Sequence, residues 1–231
     1  MRLILLGLPG AGKGTQAKVL ADRYGLLHVS TGDMFRDAAA EGTALGKQAQ
    51  GYMSRGELVP DEVTIGMLLE RIAKPDADRG IMLDGFPRTI PQAEALDRAL
   101  GERGTAIDAV LYIQVPEELL MARLTGRWSC PQCGAIYHEI SSPPAKAGSC
   151  DRCGSQLTQR ADDRPETVRT RLDANRRWTE ELAAYYGRQG KLHDVDGTGE
   201  PEDVTGRLAA ALDRVSAGVR TPGVSGEKGL R

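Results

Sequence analysis

The chain has 231 residues, 40% hydrophobic and 27% charged, a mixture suited to one medium soluble domain with room for small insertions. Its 30 basic and 32 acidic residues leave a formal charge of −2, so nothing draws the whole protein to a polyanion, and phosphate chemistry has to come from locally placed cations. No run approaches the roughly 20 apolar residues of a membrane span, and the apolar residues 3–6 are too few for a secretory core. A cytoplasmic protein that binds neither membrane nor nucleic acid is expected, a monomer by default.

Residues 3–6 meet a glycine-rich loop, 7–14, and a helical pattern follows through Val19, Leu20 and Tyr24 until Gly25 ends it. Strand, loop and helix in that succession open a parallel α/β fold. A second strand is expected at 26–29, running into Ser30-Thr31-Gly32-Asp33, which carries the capping chemistry of another helix. Gly42, Gly46, Gly51 and Gly56 then punctuate a small helical insertion. Asp61 opens a helix through Val63, Ile65, Leu68, Leu69 and Ile72 that stops before Pro75. Strands are expected at 80–84 and 107–115, after which Pro116 starts a helix closed by Gly126. From 127 to about 163, cysteine, proline, glycine and serine dominate and helical periodicity vanishes. Pro165 restarts a helix with Val168, Leu172, Leu182 and Tyr186 on one face. A short strand then ends near Val195, and a last helix runs from Glu202 to about Ala217. A glycine-rich flexible tail is expected at 218–231.

Gly7-Leu8-Pro9-Gly10-Ala11-Gly12-Lys13-Gly14-Thr15 is close to a Walker A phosphate loop. Its glycines let backbone N–H groups turn toward phosphate oxygens, and the following helix adds its positive N-terminal end. Lys13 suits the β- and γ-phosphates, and Thr15 suits the Mg²⁺ shell or a phosphate. The strict pattern places Ser or Thr directly after the lysine, whereas here Gly14 intervenes. The loop by itself says phosphate binding and leaves the reaction open.

Asp84-Gly85-Phe86-Pro87-Arg88-Thr89 follows its strand at the carboxyl end, where open α/β sheets gather ligands. Asp84 is a candidate to hold Mg²⁺ through water. Arg88 offers a guanidinium for phosphate, and Gln92 an amide able to read a base edge. Thr31 and Arg36 begin the small insertion.

The four cysteines fall as Cys130-x2-Cys133-x16-Cys150-x2-Cys153, two chelating turns able to present four thiolates to Zn²⁺. Four sulfurs close the shell, which makes the site structural, and His138, His28 and His193 are not needed as ligands. A zinc ribbon for nucleic acid is the rival reading, but the segment lacks dense lysine and arginine with interleaved aromatics. Arg127 just before the segment and Arg160 just after it fit a flap that brings both cations over phosphates.

The phosphate loop with its extra glycine, Ser30-Thr31-Gly32-Asp33-Met34 and Asp84-Gly85-Phe86-Pro87-Arg88-Thr89 together resemble the adenylate kinase family. The likeness continues through Arg160-Ala161-Asp162-Asp163 and Val195-Asp196-Gly197-Thr198, to about residue 215. It implies a three-layer P-loop α/β fold with helices on both faces of a parallel sheet. The core would comprise 1–29, 60–126 and 164–217, with a helical nucleoside monophosphate-binding insertion at 30–59 and a zinc-ribbon lid at 127–163. It implies magnesium-dependent phosphoryl transfer between ATP and AMP, giving ADP. Thr31, Arg36, Arg88 and Gln92, with the backbone of Glu57, Leu58, Val59, Gly85, Phe86 and Pro87, would bind AMP. Gly10, Ala11, Gly12, Lys13, Gly14, Thr15, Arg123, Arg127, Ile136 and Tyr137 would bind ATP. Arg160 and Arg171 would bridge the transferring group and AMP. Where the family often has lysine or glutamine near position 199, Gly199 can supply the same backbone carbonyl. Lys13, Arg88, Arg123, Arg160 and Arg171 are thus the expected catalytic cations. Kinases of UMP or CMP, or users of GTP, remain open within the same resemblance.

Overall fold

In the computed structural model, which describes residues 1–219, the apolar run at the start of the chain organises the whole fold. It forms β1 (Arg2–Leu6), and because side chains alternate across a strand, Leu3 and Leu5 enter one core while Ile4 and Leu6 enter another. β1 is central in a five-stranded, fully parallel sheet of order β2-β3-β1-β4-β7. Here β2 is Leu27–Ser30, β3 Ile81–Asp84, β4 Ala109–Gln114 and β7 Leu192–Asp196.

One face of the sheet is covered by α1 (Lys13–Tyr24), α6 (Glu117–Thr125) and α8 (Pro201–Val219), through Ala17, Leu20, Leu120, Leu124, Leu208 and Leu212. The other is covered by α4 (Asp61–Ile72) and α5 (Ile90–Gly101), through Leu68, Ile72, Leu96 and Leu100. The long helix α7 (Pro165–Arg188) serves both cores: Val168 and Leu172 pack into the first, Leu182 and Tyr186 into the second. Helices on both faces of a parallel sheet give the expected three layers.

No helix between β3 and β4 follows from the sequence reading above, yet α5 fills that interval. Its signals are local. The Thr89 side chain accepts from the Gln92 N–H as a cap, Pro91 stands in the first turn, and Ala93, Leu96 and Leu100 keep the helical spacing. Pro116 stands at the cap of α6 rather than inside it. α8 continues through Val219, so Gly218 and Val219 of the expected tail are helical, and 220–231 lie outside the described residues. Among the described residues no helix is long and apolar enough to cross a membrane.

Two small bodies interrupt the layers. Ser30 caps α2 (Thr31–Ala40), and Thr43 caps α3 (Ala44–Ser54). Phe35, Ala49 and Val59 give this pair its own small core. α2 and α3 meet so closely that a Cβ on Gly46 would lie 2.2 Å from the backbone of Ala38. Residues 127–163 hold the antiparallel hairpin of β5 (Arg127–Ser129) and β6 (Ile136–His138), and their buried cluster is only Cys130, Ala135, Tyr137, Cys150 and Leu157.

Candidate active site

The loop after β1 is shaped by left-handed glycines: Gly10 has φ +85° and Gly12 φ +92°, conformations that side chains resist. Gly12 caps α1 without any side-chain bond, so the first N–H groups of the helix are offered to the loop. Lys13 folds over this cradle, its Nζ donating to the carbonyls of Gly7 at 2.7 Å and Leu8 at 3.0 Å. Burial, with Arg88, Arg171 and Arg127 close by and only Asp84 opposing, brings the Lys13 ammonium down to about 8. Thr15 is exposed beside the loop.

Asp84 ends β3 under the same loop, and a Cβ on Gly14 would lie 3.3 Å from its Oδ2. A side chain in place of the glycine that separates Lys13 from Thr15 would therefore crowd this carboxylate. Burial raises the affinity of Asp84 for a proton, but Lys13 and His28 outweigh it and hold the carboxyl below its ordinary range. A buried carboxylate that stays ionised beside a phosphate loop is a suitable second anchor for a hydrated Mg²⁺. Nε2 of His28 lies 3.8 Å from Oδ2 of Asp84, beyond hydrogen-bond reach, and it has no partner among the described residues.

On the far side of Asp84, the Gly85 carbonyl accepts from Thr31 Oγ1 and from Arg88 Nε, each at 2.9 Å. Thr31, Phe35, Leu58, Val59, Arg88 and Gln92 line a cleft between this turn and the α2–α3 pair. Glu57 also lines this cleft, with its carboxylate paired to Arg55.

The arginines converge above the loop. Burial and the neighbouring Arg171 bring Arg88 down to about 10, and burial with Arg36 and Arg127 does the same to Arg160. Burial also lowers Arg171, against the pull of Asp162 and Asp163. All remain charged at neutral pH, so the pocket concentrates positive charge at a cost that bound phosphate relieves. Protein carboxylates order this ring: Arg36 pairs with Asp33 at 2.5 Å, and Arg127 and Arg171 both pair with the fully buried Asp163. Sequence reading assigned no role to Asp162 or Asp163, although two carboxylates between Arg160 and Arg171 were a readable signal.

Arg123, Gly199, Ile136 and Tyr137 sit apart from that ring. Arg123 Nη2 donates to the Gly197 carbonyl at 3.2 Å, beside a cavity of about 580 Å³ lined by Leu8, Val115, Asp196 and Thr198. Gly199 follows in the same loop, which Arg207 grips through the Thr198 carbonyl. Ile136 is exposed, whereas the Tyr137 ring turns into the cysteine segment, where its hydroxyl lies 3.5 Å from Cys150 Sγ and accepts from the Asp151 N–H. Only the backbone of Tyr137 is left to face a ligand.

The four thiols lie within 4.8 Å of one another. Cys130 and Cys153 are 3.4 Å apart and Cys133 and Cys150 3.6 Å, close to the roughly 3.8 Å edge that zinc–sulfur bonds of about 2.3 Å set in a tetrahedron. Each Cys-x2-Cys turn closes alike: Gly134 N–H donates to the Cys130 carbonyl, and Gly154 N–H to that of Cys150. The donor set fits zinc. His138 stands outside it, its Nδ1 accepting from the N–H groups of Ile140 and Ser141.

A phosphate loop after the central strand of this sheet, faced by a buried ring of guanidiniums, defines a P-loop phosphotransferase. A family model described as adenylate kinase matches residues 5–191. Proteins described as adenylate kinase from Geobacillus sp. (strain WCH70) and Bacillus pumilus (strain SAFR-032) are 55% and 54% identical over 204 residues, 88% of this chain and 94% of theirs. One from Archaeoglobus fulgidus is 52% identical over 217 residues, 94% of this chain and 100% of its own. The chain belongs to the adenylate kinase family, which makes it a nucleoside monophosphate kinase.

Proposed function

We propose that the chain catalyses the reversible, magnesium-dependent reaction ATP + AMP = 2 ADP, serving adenine nucleotide homeostasis and salvage. One observation carries this reading: cations crowd one buried place around Lys13 and Arg160, where, besides burial, Arg88, Arg171 and Arg127 lower Lys13, Arg171 and Arg36 lower Arg88, and Arg36 and Arg127 lower Arg160. So dense a buried positive cluster, drawn from separate elements, suits a triphosphate and a monophosphate meeting end to end.

On the donor side, Gly10, Ala11, Gly12, Lys13, Gly14 and Thr15 would hold the ATP phosphates. Arg123 and Arg127 and the backbone of Ile136, Tyr137 and Gly199 would complete that site. On the acceptor side, Thr31, Arg36, Arg88 and Gln92, with the backbone of Glu57 to Val59 and Gly85 to Pro87, would take AMP. Arg160 and Arg171 would span the two. The attacking atom is an already ionised phosphate oxygen, so no general base is required. The residues have to align the two nucleotides and neutralise charge on the moving group. Magnesium, bound with the nucleotide and steadied by Asp84 through water, would supply charge neutralisation on the donor phosphates. Zinc on Cys130, Cys133, Cys150 and Cys153 would supply only rigidity.

Water has to be kept out, or ATP would be hydrolysed. Residues 30–59 and 127–163 would serve as two flaps over a core of 1–29, 60–126 and 164–217. In support, Lys18 of α1 donates to the Gly134 carbonyl of the cysteine segment at 3.2 Å, and α3 lies against the turn at Ala161–Asp163. The test is direct. Pure protein given ADP and Mg²⁺ should form ATP and AMP in equal amounts by chromatography, and failure to form both sinks the proposal. Offering AMP, GMP, UMP and CMP with ATP and then GTP separates it from kinases of other acceptors or donors.

A further inference from the structure

The hydrogen bonds around Gln92 leave its amide a single orientation. At one end the backbone N–H of Arg88 lies 2.7 Å away and has to meet the oxygen, Oε1. At the other end Asp61, in the first turn of α4, places Oδ1 2.6 Å from Nε2, and a carboxylate only accepts. The second oxygen of Asp61 accepts from the Thr89 hydroxyl at 2.7 Å. Thr89 is itself fixed as the cap of α5, so the carboxylate is held from behind. Gln92 is 1% exposed and Thr89 6%, which keeps competing water away from the arrangement.

With these bonds made, the amide retains one N–H and one oxygen lone pair. A fixed donor and a fixed acceptor match a purine edge on which an exocyclic amine stands beside a ring-nitrogen acceptor, as in adenine. A 6-oxopurine reverses that order, with a carbonyl where the amine was and an N–H where the acceptor was. Only an inverted amide reads the reversed edge. Inversion would set Oε1 against the Asp61 carboxylate and Nε2 against the Arg88 N–H, two like-against-like contacts in a buried place.

We infer that Asp61 is a positioning residue for base specificity: by accepting from Gln92 it locks the amide that reads a 6-aminopurine and refuses a 6-oxopurine. The inference rests on the proposed assignment of this cleft to AMP. It is tested by kcat/KM for AMP and for IMP, with ATP as donor, in the wild type and in Asp61→Asn. Hypoxanthine reverses the edge without adding the 2-amino group of guanine, so IMP isolates the orientation. Asparagine offers a donor or an acceptor at similar size, which removes the charged one of the two mismatches. The AMP-to-IMP ratio should fall about tenfold, with the unfolding midpoint recorded alongside. Should Asp61→Asn not fold, Asp61→Ser provides the same measurement, because a hydroxyl also donates or accepts. A purely structural role for Asp61 would lower both activities together. AMP activity with a ratio within about threefold of the wild type therefore overturns the inference alone. A wild type inactive on AMP overturns the reading of the cleft, and the inference with it.

Discussion

Arg127 and Asp163 join the two ends of the cysteine segment through a two-point ion pair, Nε to Oδ2 at 2.8 Å and Nη2 to Oδ1 at 2.5 Å. The same Oδ1 takes Arg171 Nη1 at 3.1 Å. One buried carboxylate thus aims two of the proposed phosphate-binding cations and pins the proposed flap at its root. Asp163→Ala would leave Arg127 uncompensated and Arg171 with Asp162 alone, and breaking a buried pair costs about 3–5 kcal/mol. The urea midpoint should drop accordingly, and kcat/KM should fall by about a hundredfold because the cations lose their aim. A variant with the stability and rate of the wild type would show the pair to be idle.

Lys13 provides a pH test. Its ammonium is brought down to about 8 by burial and neighbouring cations, so above that pH the free protein holds it largely neutral. A bound polyphosphate favours the charged form and raises the affinity for the proton. Binding of ATP at about pH 9 should therefore take up close to one proton, and at about pH 7 almost none, by linkage. Calorimetry in buffers of different ionisation heat reads this directly. Equal apparent heats in all buffers at the higher pH would contradict it. In Lys13→Ala the uptake should vanish while activity drops by about two to three orders of magnitude.

Removing the metal separates a structural ion from a catalytic one. The buried cluster of the segment is small, Cys130, Ala135, Tyr137, Cys150 and Leu157 with Trp128 against it, too little apolar surface to order residues 127–163 alone. Metal binding contributes on the order of 10–16 kcal/mol in isolated zinc modules and is the expected source of order here. Chelation should lower the thermal midpoint more than it lowers the rate in the cold. Immediate loss of turnover with the segment still protected from proteolysis would point to a catalytic ion.

Much of this was legible in the residues because local chemistry dictated it. The glycines before Lys13 demand a loop, the apolar alternation of residues 3–6 demands a buried central strand, and the cysteine spacing demands a four-thiol centre. α5 is equally local, signalled by Thr89 and Pro91, but its start coincides with the end of the Asp84–Thr89 motif, whose residues carry the site chemistry. The rest was long-range. Asp61 is separated from Gln92 by 31 positions and Arg127 from Asp163 by 36, and no periodicity joins them. Tyr137 shows the converse limit. The family resemblance implies a nucleotide contact for it, and its ring lies against the sulfur of Cys150, a partner supplied only by the folded segment.

The proposed closure of residues 30–59 over the acceptor can be obstructed at one atom. Gly56, where residues 30–59 rejoin the core, has φ +76°, and a Cβ there would stand 2.8 Å from Cγ of Arg171 and 3.0 Å from the Thr167 carbonyl oxygen. The arginine stem can shift, but the carbonyl belongs to α7 and cannot. Gly56→Ala therefore combines a strained left-handed conformation, of about 1–3 kcal/mol, with a wedge between the flap and the helix that carries Arg171. If the flap has to seat against α7 to hold AMP, KM for AMP should rise about tenfold while KM for ATP stays near its wild-type value. Steady-state rates with each nucleotide varied at saturating levels of the other make the comparison. Equal rises in both constants would mean that the substitution loosens the protein generally, and that this contact does not govern acceptor binding.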